Sequence, residues 1–180
     1  MKVLVACEFS GIVREAFKAK GHDAWSCDII NTEIEGNHLL CDVEEVLDKN
    51  WDLIIAHPPC TYLAVSGNKH YSNRPDLFLP AVDFAKRFFE FSDKVAVENP
   101  VGRLSSFWRK PDQYIQPWQF GHGETKKTGL WLKNLPILQS TNIVDGRETR
   151  VHKEPPSDNR WKNRSRTYRG VAEAMAEQWG

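Results

Sequence analysis

At 180 residues the chain suits one domain with a substantial hydrophobic core. With 41% hydrophobic and 27% charged residues and equal numbers of acids and bases, composition is that of a globular protein, and net charge alone singles out no partner. No window is apolar for long enough to span a bilayer, and the first residues carry no secretory pattern. The expectation is a cytoplasmic protein (host cytoplasm if virus-encoded) with reduced cysteines and no membrane partner.

Charge is unevenly placed along the chain. Residues 1–60 hold five Lys/Arg against eleven Asp/Glu, whereas 147–169 hold eight Lys/Arg against three acids. A basic strip of that density, with Arg160, Lys162, Arg164 and Arg166 around Trp161, fits phosphate contact and base stacking. A solvated tail has the same composition.

Strand and helix signals alternate in the first half. Residues 3–6 (Val-Leu-Val-Ala) read as a strand, followed by the turn Glu8-Phe9-Ser10-Gly11. A helix is predicted over 12–20 with Ile12, Ala16 and Ala19 on one face, ended by Gly21. Further strands are predicted over 23–27, 39–41, 53–56 and 94–97, and a long helix over about 77–91 with Phe78, Val82, Phe84, Ala85, Phe88 and Phe89 in its apolar part. Another strand is predicted over 129–132 and a closing helix over 171–179. Alternating strands and helices predict an α/β fold, doubly wound, with a mostly parallel sheet covered on both faces. Residues 68–80 and the basic segment 144–166 read as loops of this single 1–180 domain.

The chemistry-bearing residues fall where predicted strands end. Phe9-Ser10-Gly11 opens a helix, and glycine there lets a ligand approach the backbone while the helix N-terminus receives a polar group. Asp28 and Asp42 follow strands two and three, where an acid can bind ribose hydroxyls or cap a turn. Pro58-Pro59-Cys60 ends strand four, so a thiol sits on a stiff loop at the carboxyl edge of the sheet. Glu98-Asn99-Pro100 ends strand five. Cys7, Cys27, Cys41 and Cys60 contain no Cys-x-x-Cys pair, so no metal site is expected. His57, beside the prolines, reads as a hydrogen-bonded loop histidine or as an aid to proton transfer near Cys60.

In this order the elements resemble the DNA (cytosine-5) methyltransferases. Val5 to Ala16 is similar to that family's first cofactor motif, Asp52 to Cys60 to its nucleophile motif, and Val97-Glu98-Asn99-Pro100 to its Glu-Asn-Val motif. Residues 120–131 resemble the Gln-x-Arg-x-Arg segment and 168–177 the closing cofactor motif. The resemblance implies a Rossmann-like methyltransferase sheet, S-adenosyl-L-methionine as cofactor and methyl transfer to C5 of cytosine in DNA. It makes Cys60, Glu98 and Lys126 catalytic residues and Phe9, Gly11, Asp28, Asp42 and Pro58 cofactor contacts. Nucleic acid would meet Lys69, Arg74, Arg160, Trp161, Lys162, Arg164 and Arg166.

The implied chemistry is attack of the Cys60 thiolate on C6, which makes C5 nucleophilic, with Glu98 hydrogen-bonding N3 and the exocyclic amine. Burial would keep Glu98 protonated for N3, and in a duplex the base would flip out. The chain departs from the family pattern at Val13, at Thr61 to Ala64, and at Glu124, Lys126 and Thr128, where the family has Gln, Arg and Arg. The interval 133–165 is too short for a separate target-recognition domain. RNA, single-stranded DNA or a free cytidine nucleotide therefore stand as alternative substrates, and a non-catalytic nucleic-acid-binding protein of this fold as a third reading. Trp108 and Trp118 read as packing residues.

Overall fold

The computed structural model describes residues 1–65 and 74–180. Seven strands form one sheet: β1 (Lys2–Ala6), β2 (Asp23–Asp28), β3 (His38–Leu40), β4 (Leu53–Ala56), β5 (Val95–Pro100), β6 (Gln113–Ile115) and β7 (Thr128–Lys133). Their spatial order is β3-β2-β1-β4-β5-β7-β6. β1 to β5 pair in parallel, while β7 runs antiparallel to both of its neighbours. The fold is therefore α/β with a mostly parallel sheet.

The central strands are apolar over residues 3–6, 53–56 and 95–97 because both faces are covered there. On one face Val3, Val5, Leu53, Ile55 and Ala96 pack with Val13 and Phe17 of α1 (Ile12–Ala19) and with Val171, Ala172 and Met175 of α6 (Arg169–Trp179). On the other, Leu4, Ala6, Ile54, Ala56, Val95 and Val97 pack with Phe78, Val82 and Ala85 of α2 (Phe78–Arg87) and with Leu104 of α3 (Leu104–Phe107). An ion pair between Lys20 and Glu177 ties the two helices of the first face together at their ends.

The predicted elements are recovered with shifts that have physical causes. The buried face of α1 is centred on Val13 and Phe17, an i, i+4 pair, rather than on Ile12, Ala16 and Ala19; Ala19 is exposed. The helix expected over 77–91 is α2 flanked by short 3-10 turns at Pro75–Leu77 and Phe88–Glu90. β5 continues through Pro100, so Glu98 lies within a strand, opposite Leu130 of β7, and not at its end. The pairing is antiparallel and begins at Pro100 opposite Thr128, which the local sequence does not announce. β6 was likewise not predicted. The segment expected to be a loop over 144–166 contains α4 (Arg150–Lys153) and α5 (Arg160–Ser165). Trp108 stacks on Trp131 at 6.0 Å, and Arg147 lies 4.0 Å over Trp118, so both tryptophans pack within the fold.

Candidate functional site

All five parallel strands deliver their carboxyl ends to one edge, and the strand order reverses between β1 and β4. In open α/β sheets the ligand crevice lies at that point. The loop after β1 carries Phe9 to Gly11 and the loop after β4 carries His57 to Cys60. The amide of His57 donates to the Ala6 carbonyl at 2.9 Å, which holds the two loops side by side.

The β1 loop is shaped from within. Cys7 has φ +58, a left-handed value rare for a side chain with a Cβ. Glu8, buried, accepts from the Ser10 hydroxyl at 3.0 Å and from the amides of Val13 (2.7 Å) and Arg14 (3.3 Å). The N-terminus of α1 is thus filled by a carboxylate of the chain itself, which corrects the expectation that it receives a ligand group. Gly11 is required by its φ of +73 and because a Cβ there would lie 2.7 Å from the Arg14 guanidinium. Its space belongs to a buried side chain rather than to a ligand. Arg14, fully buried, bonds Ser26, Thr32, Glu15 and the Ile34 carbonyl, fixing the segment after β2.

Asp28 ends β2 and accepts from the amide of Ile30 at 3.3 Å; burial raises its carboxyl despite these bonds. Asp42 caps the 3-10 turn Val43–Glu45 in a reciprocal capping box, accepting from Glu44 at 3.0 Å. Cys7, Cys27 and Cys41 crowd this same edge as free thiols, with 3.9 Å between the sulfurs of Cys27 and Cys41. Burial, then the neighbouring Cys41, pushes the Cys27 thiol up to about 12, so these cysteines serve as packing residues.

Cys60 and Glu98 are brought together by a clamp from the β5 side. Asn99 Nδ2 donates to the Pro58 carbonyl at 2.9 Å, and Arg103 N donates to the Leu63 carbonyl at 2.7 Å. Gly102 permits the second contact, since a Cβ there would stand 2.1 Å from the Leu63 carbonyl oxygen. Cys60 begins the turn by accepting from Leu63 and Ala64, and its side is exposed. The surrounding protein raises its thiol by desolvation first and then by the Glu98 charge; Lys126 and Arg164 act in the opposite sense.

His57 Nδ1 lies 2.9 Å from Glu98 Oε2, with side chains only 12% and 15% exposed. Burial raises the Glu98 carboxyl, but the His57 hydrogen bond and charge, Lys126 and the Thr128 hydroxyl outweigh it. Glu98 is therefore held below the ordinary carboxyl range. In the chain by itself the cationic and hydrogen-bonding neighbours outweigh burial. Glu98, Lys126, Thr128 and Tyr168 line a narrow cleft against Val171 and Met175 of α6. Glu124 is engaged by Tyr168 (2.6 Å) and Arg150 (3.0 Å) and so buttresses the wall of this cleft.

The basic strip lies across the same edge. Trp161 packs on Phe9 at 5.4 Å with the rings tilted by 57°, and Lys162 lies 5.8 Å over Phe9. Arg166 grips Glu33 through two 2.6 Å bonds, and Arg160 donates to the Glu154 carbonyl at 2.7 Å. Both guanidiniums are thus engaged within the chain. Arg164 has a buried Nε with no partner among the described residues and bears electrostatically on Cys60. Arg74 pairs with Asp76 in the open, and Lys69 lies outside the described residues. Asn99, Gly102 and Arg14 were not singled out from sequence, although Asn99 stood in the Glu-Asn-Pro run and Arg14 in the Val5 to Ala16 motif.

The arrangement sets a thiol and a carboxylate on adjacent strand ends, with Lys126 acting on both, Arg164 acting on the thiol, and acids on the neighbouring strands. Comparisons with models of known protein families and with curated sequences returned no match to this chain.

Proposed function

We propose that this protein transfers a methyl group from S-adenosyl-L-methionine to C5 of a cytosine in DNA, through a covalent adduct of Cys60 with C6, on a sheet of the methyltransferase type. The observation that carries the reading is the convergence of Cys60 and Glu98 at the carboxyl edge, with Asn99 tying their two segments together. A binding module has no need of an exposed thiol facing a buried carboxylate.

The donor set on the neighbouring strand ends fits a nucleoside-bearing cofactor. Asp28 and Asp42 offer carboxylate oxygens for ribose hydroxyls, and Phe9 and Pro58 offer apolar surface for a ring. When bound, the cofactor supplies the electrophilic methyl group. Cys60 adds to C6 of the pyrimidine, which shifts electron density to C5. Glu98 accepts from the exocyclic amine and faces N3, where charge develops as the thiolate adds. Lys126 and Arg164 favour the thiolate over the thiol. Breakdown of the adduct passes the C5 proton to water, and the C5–H pair becomes the C5=C6 bond as the S–C6 bond breaks and the thiolate leaves.

Substrate readout on this reading is confined to short elements. The basic strip carries only two short helices, and part of its charge is spent on Glu33. That economy favours a substrate presenting its base without extensive sequence reading, so single-stranded DNA, RNA and dCMP belong in the test beside duplex DNA. The test is transfer from labelled S-adenosylmethionine to each of the four, with nucleoside analysis of products, for wild type and Cys60→Ser. 5-Methylcytosine with wild type and none with the variant is the expected outcome; equal turnover by both overturns the role of Cys60.

A further inference from the structure

We infer that His57 is the proton-holding partner of Glu98, a positioning residue that acts through the carboxylate to deliver one proton to N3 of the target ring and take it back when the adduct breaks down. The inference rests on the proposed cytosine chemistry and deepens it at the same site.

Three geometric facts carry it. His57 Nδ1 and Glu98 Oε2 are 2.9 Å apart, close enough for a proton to pass without movement of either chain segment. Both side chains are nearly enclosed, so the pair does not exchange freely with water. His57 Nε2 is buried with no hydrogen-bond partner among the described residues, so the ring's one anchoring contact is the carboxylate.

Addition at C6 leaves N3 in need of a proton, and a carboxylate hydrogen-bonded to the imidazole at 2.9 Å can pass one on. With the imidazolium beside it, the step balances. The Nδ1–H bond breaks as an O–H bond forms on Glu98, and that bond breaks as N3–H forms. Meanwhile the sulfur lone pair makes the S–C6 bond, the C5=C6 electrons become C4=C5, and the C4=N3 pair settles on N3. Elimination reverses each transfer and returns the proton to His57. Neutralising Glu98 also removes the negative charge that opposes ionisation of Cys60. The other titratable or charged groups around the pair are Cys60 on the β4 loop, Lys126 before β7, Tyr168 at the start of α6, and Arg164 on α5.

The experiment compares wild type with His57→Asn and His57→Gln, whose amides can hydrogen-bond Glu98 but hold no titratable proton. Whichever of duplex DNA, single-stranded DNA, RNA or dCMP the wild type methylates is used for kcat and KM across pH. Loss of about 100-fold in kcat is expected, with KM within about two-fold. The pH profile of kcat should also change shape, since the carboxyl must then hold the proton without the imidazole beside it. Wild-type and variant profiles that superimpose overturn the inference. If wild type methylates none of the four, the cytosine reading itself has failed. The pair is then judged by 15N NMR of the His57 ring, whose pH dependence should change in Glu98→Gln. An unchanged titration overturns the shared proton, and this arm also decides the matter if the His57 variants do not fold.

Discussion

Asn99 Nδ2 donates to the carbonyl oxygen of Pro58 at 2.9 Å, joining the strand that carries Glu98 to the loop that carries Cys60. The bond is buried and spans 41 residues of sequence. It makes the separation of thiol and carboxylate a property of the sheet rather than of a free loop. Asn99→Ala leaves the Pro58 carbonyl unpaired and should cost about 1–3 kcal/mol in urea unfolding. Methyl transfer should fall by about 100-fold as the thiol loses its fixed position. Full activity in a destabilised variant would show that the bond serves stability alone.

Gly102 meets the same loop from the other side. Adding a single methyl group would place carbon 2.1 Å from the Leu63 carbonyl oxygen and 2.7 Å from the Ala64 Cα, both backbone atoms that cannot rotate away. Gly102→Ala should therefore destabilise the fold by about 1–3 kcal/mol or more. It should also alter the reactivity of Cys60 towards a thiol reagent. Wild-type values for both would refute the close approach.

Arg166 and Glu33 are bound in a two-pronged pair with each side chain about a third exposed, so the pair contributes less than about 1 kcal/mol. On the proposed function its larger effect would fall on polynucleotide binding, because it withholds one guanidinium from phosphate. Glu33→Gln should release Arg166 and steepen the dependence of log affinity on log salt for a polynucleotide by about 0.9. A shallower or unchanged slope would place Arg166 outside the nucleic-acid path.

Stability should show a plateau bounded by two sets of groups. Glu98, Glu33 and Glu124 have carboxyls held below their ordinary 4.5 in the folded state. Their contribution is present above 4.5 and is lost as pH falls through the lower folded values. Cys27 has a folded value raised from 9.0 to about 12, and Cys7 is raised further. Their contribution is full below 9.0 and is lost as pH rises from there towards the folded values. Urea midpoints should accordingly fall as pH drops below 4.5 and fall again as pH rises above 9.0. In Cys27→Ala the alkaline decline should weaken; if it does not, Cys27 is not the source.

Much of the sheet was legible because parallel strands buried on both faces announce themselves as continuous apolar runs, as in Leu53-Ile54-Ile55-Ala56. β6 and the full reach of β5 were not, since Glu98-Asn99-Pro100 carries no strand pattern and becomes strand only by pairing with β7. The site residues Cys60 and Glu98 stood out because a thiol after two prolines and an acid after Val-Ala-Val are unusual neighbours. By itself, the sequence determined the alternation of strands and helices, the residues gathered at the strand ends and the basic strip near the C-terminus, all of which depend on local pattern. Only the tertiary structure decided which neighbours surround Glu98, the filling of the α1 N-terminus by Glu8, the engagement of Arg166 and the placing of Trp161 on Phe9. Each of these depends on which distant side chain arrives within a few ångströms, and electrostatic and hydrogen-bonding energies are set at that range.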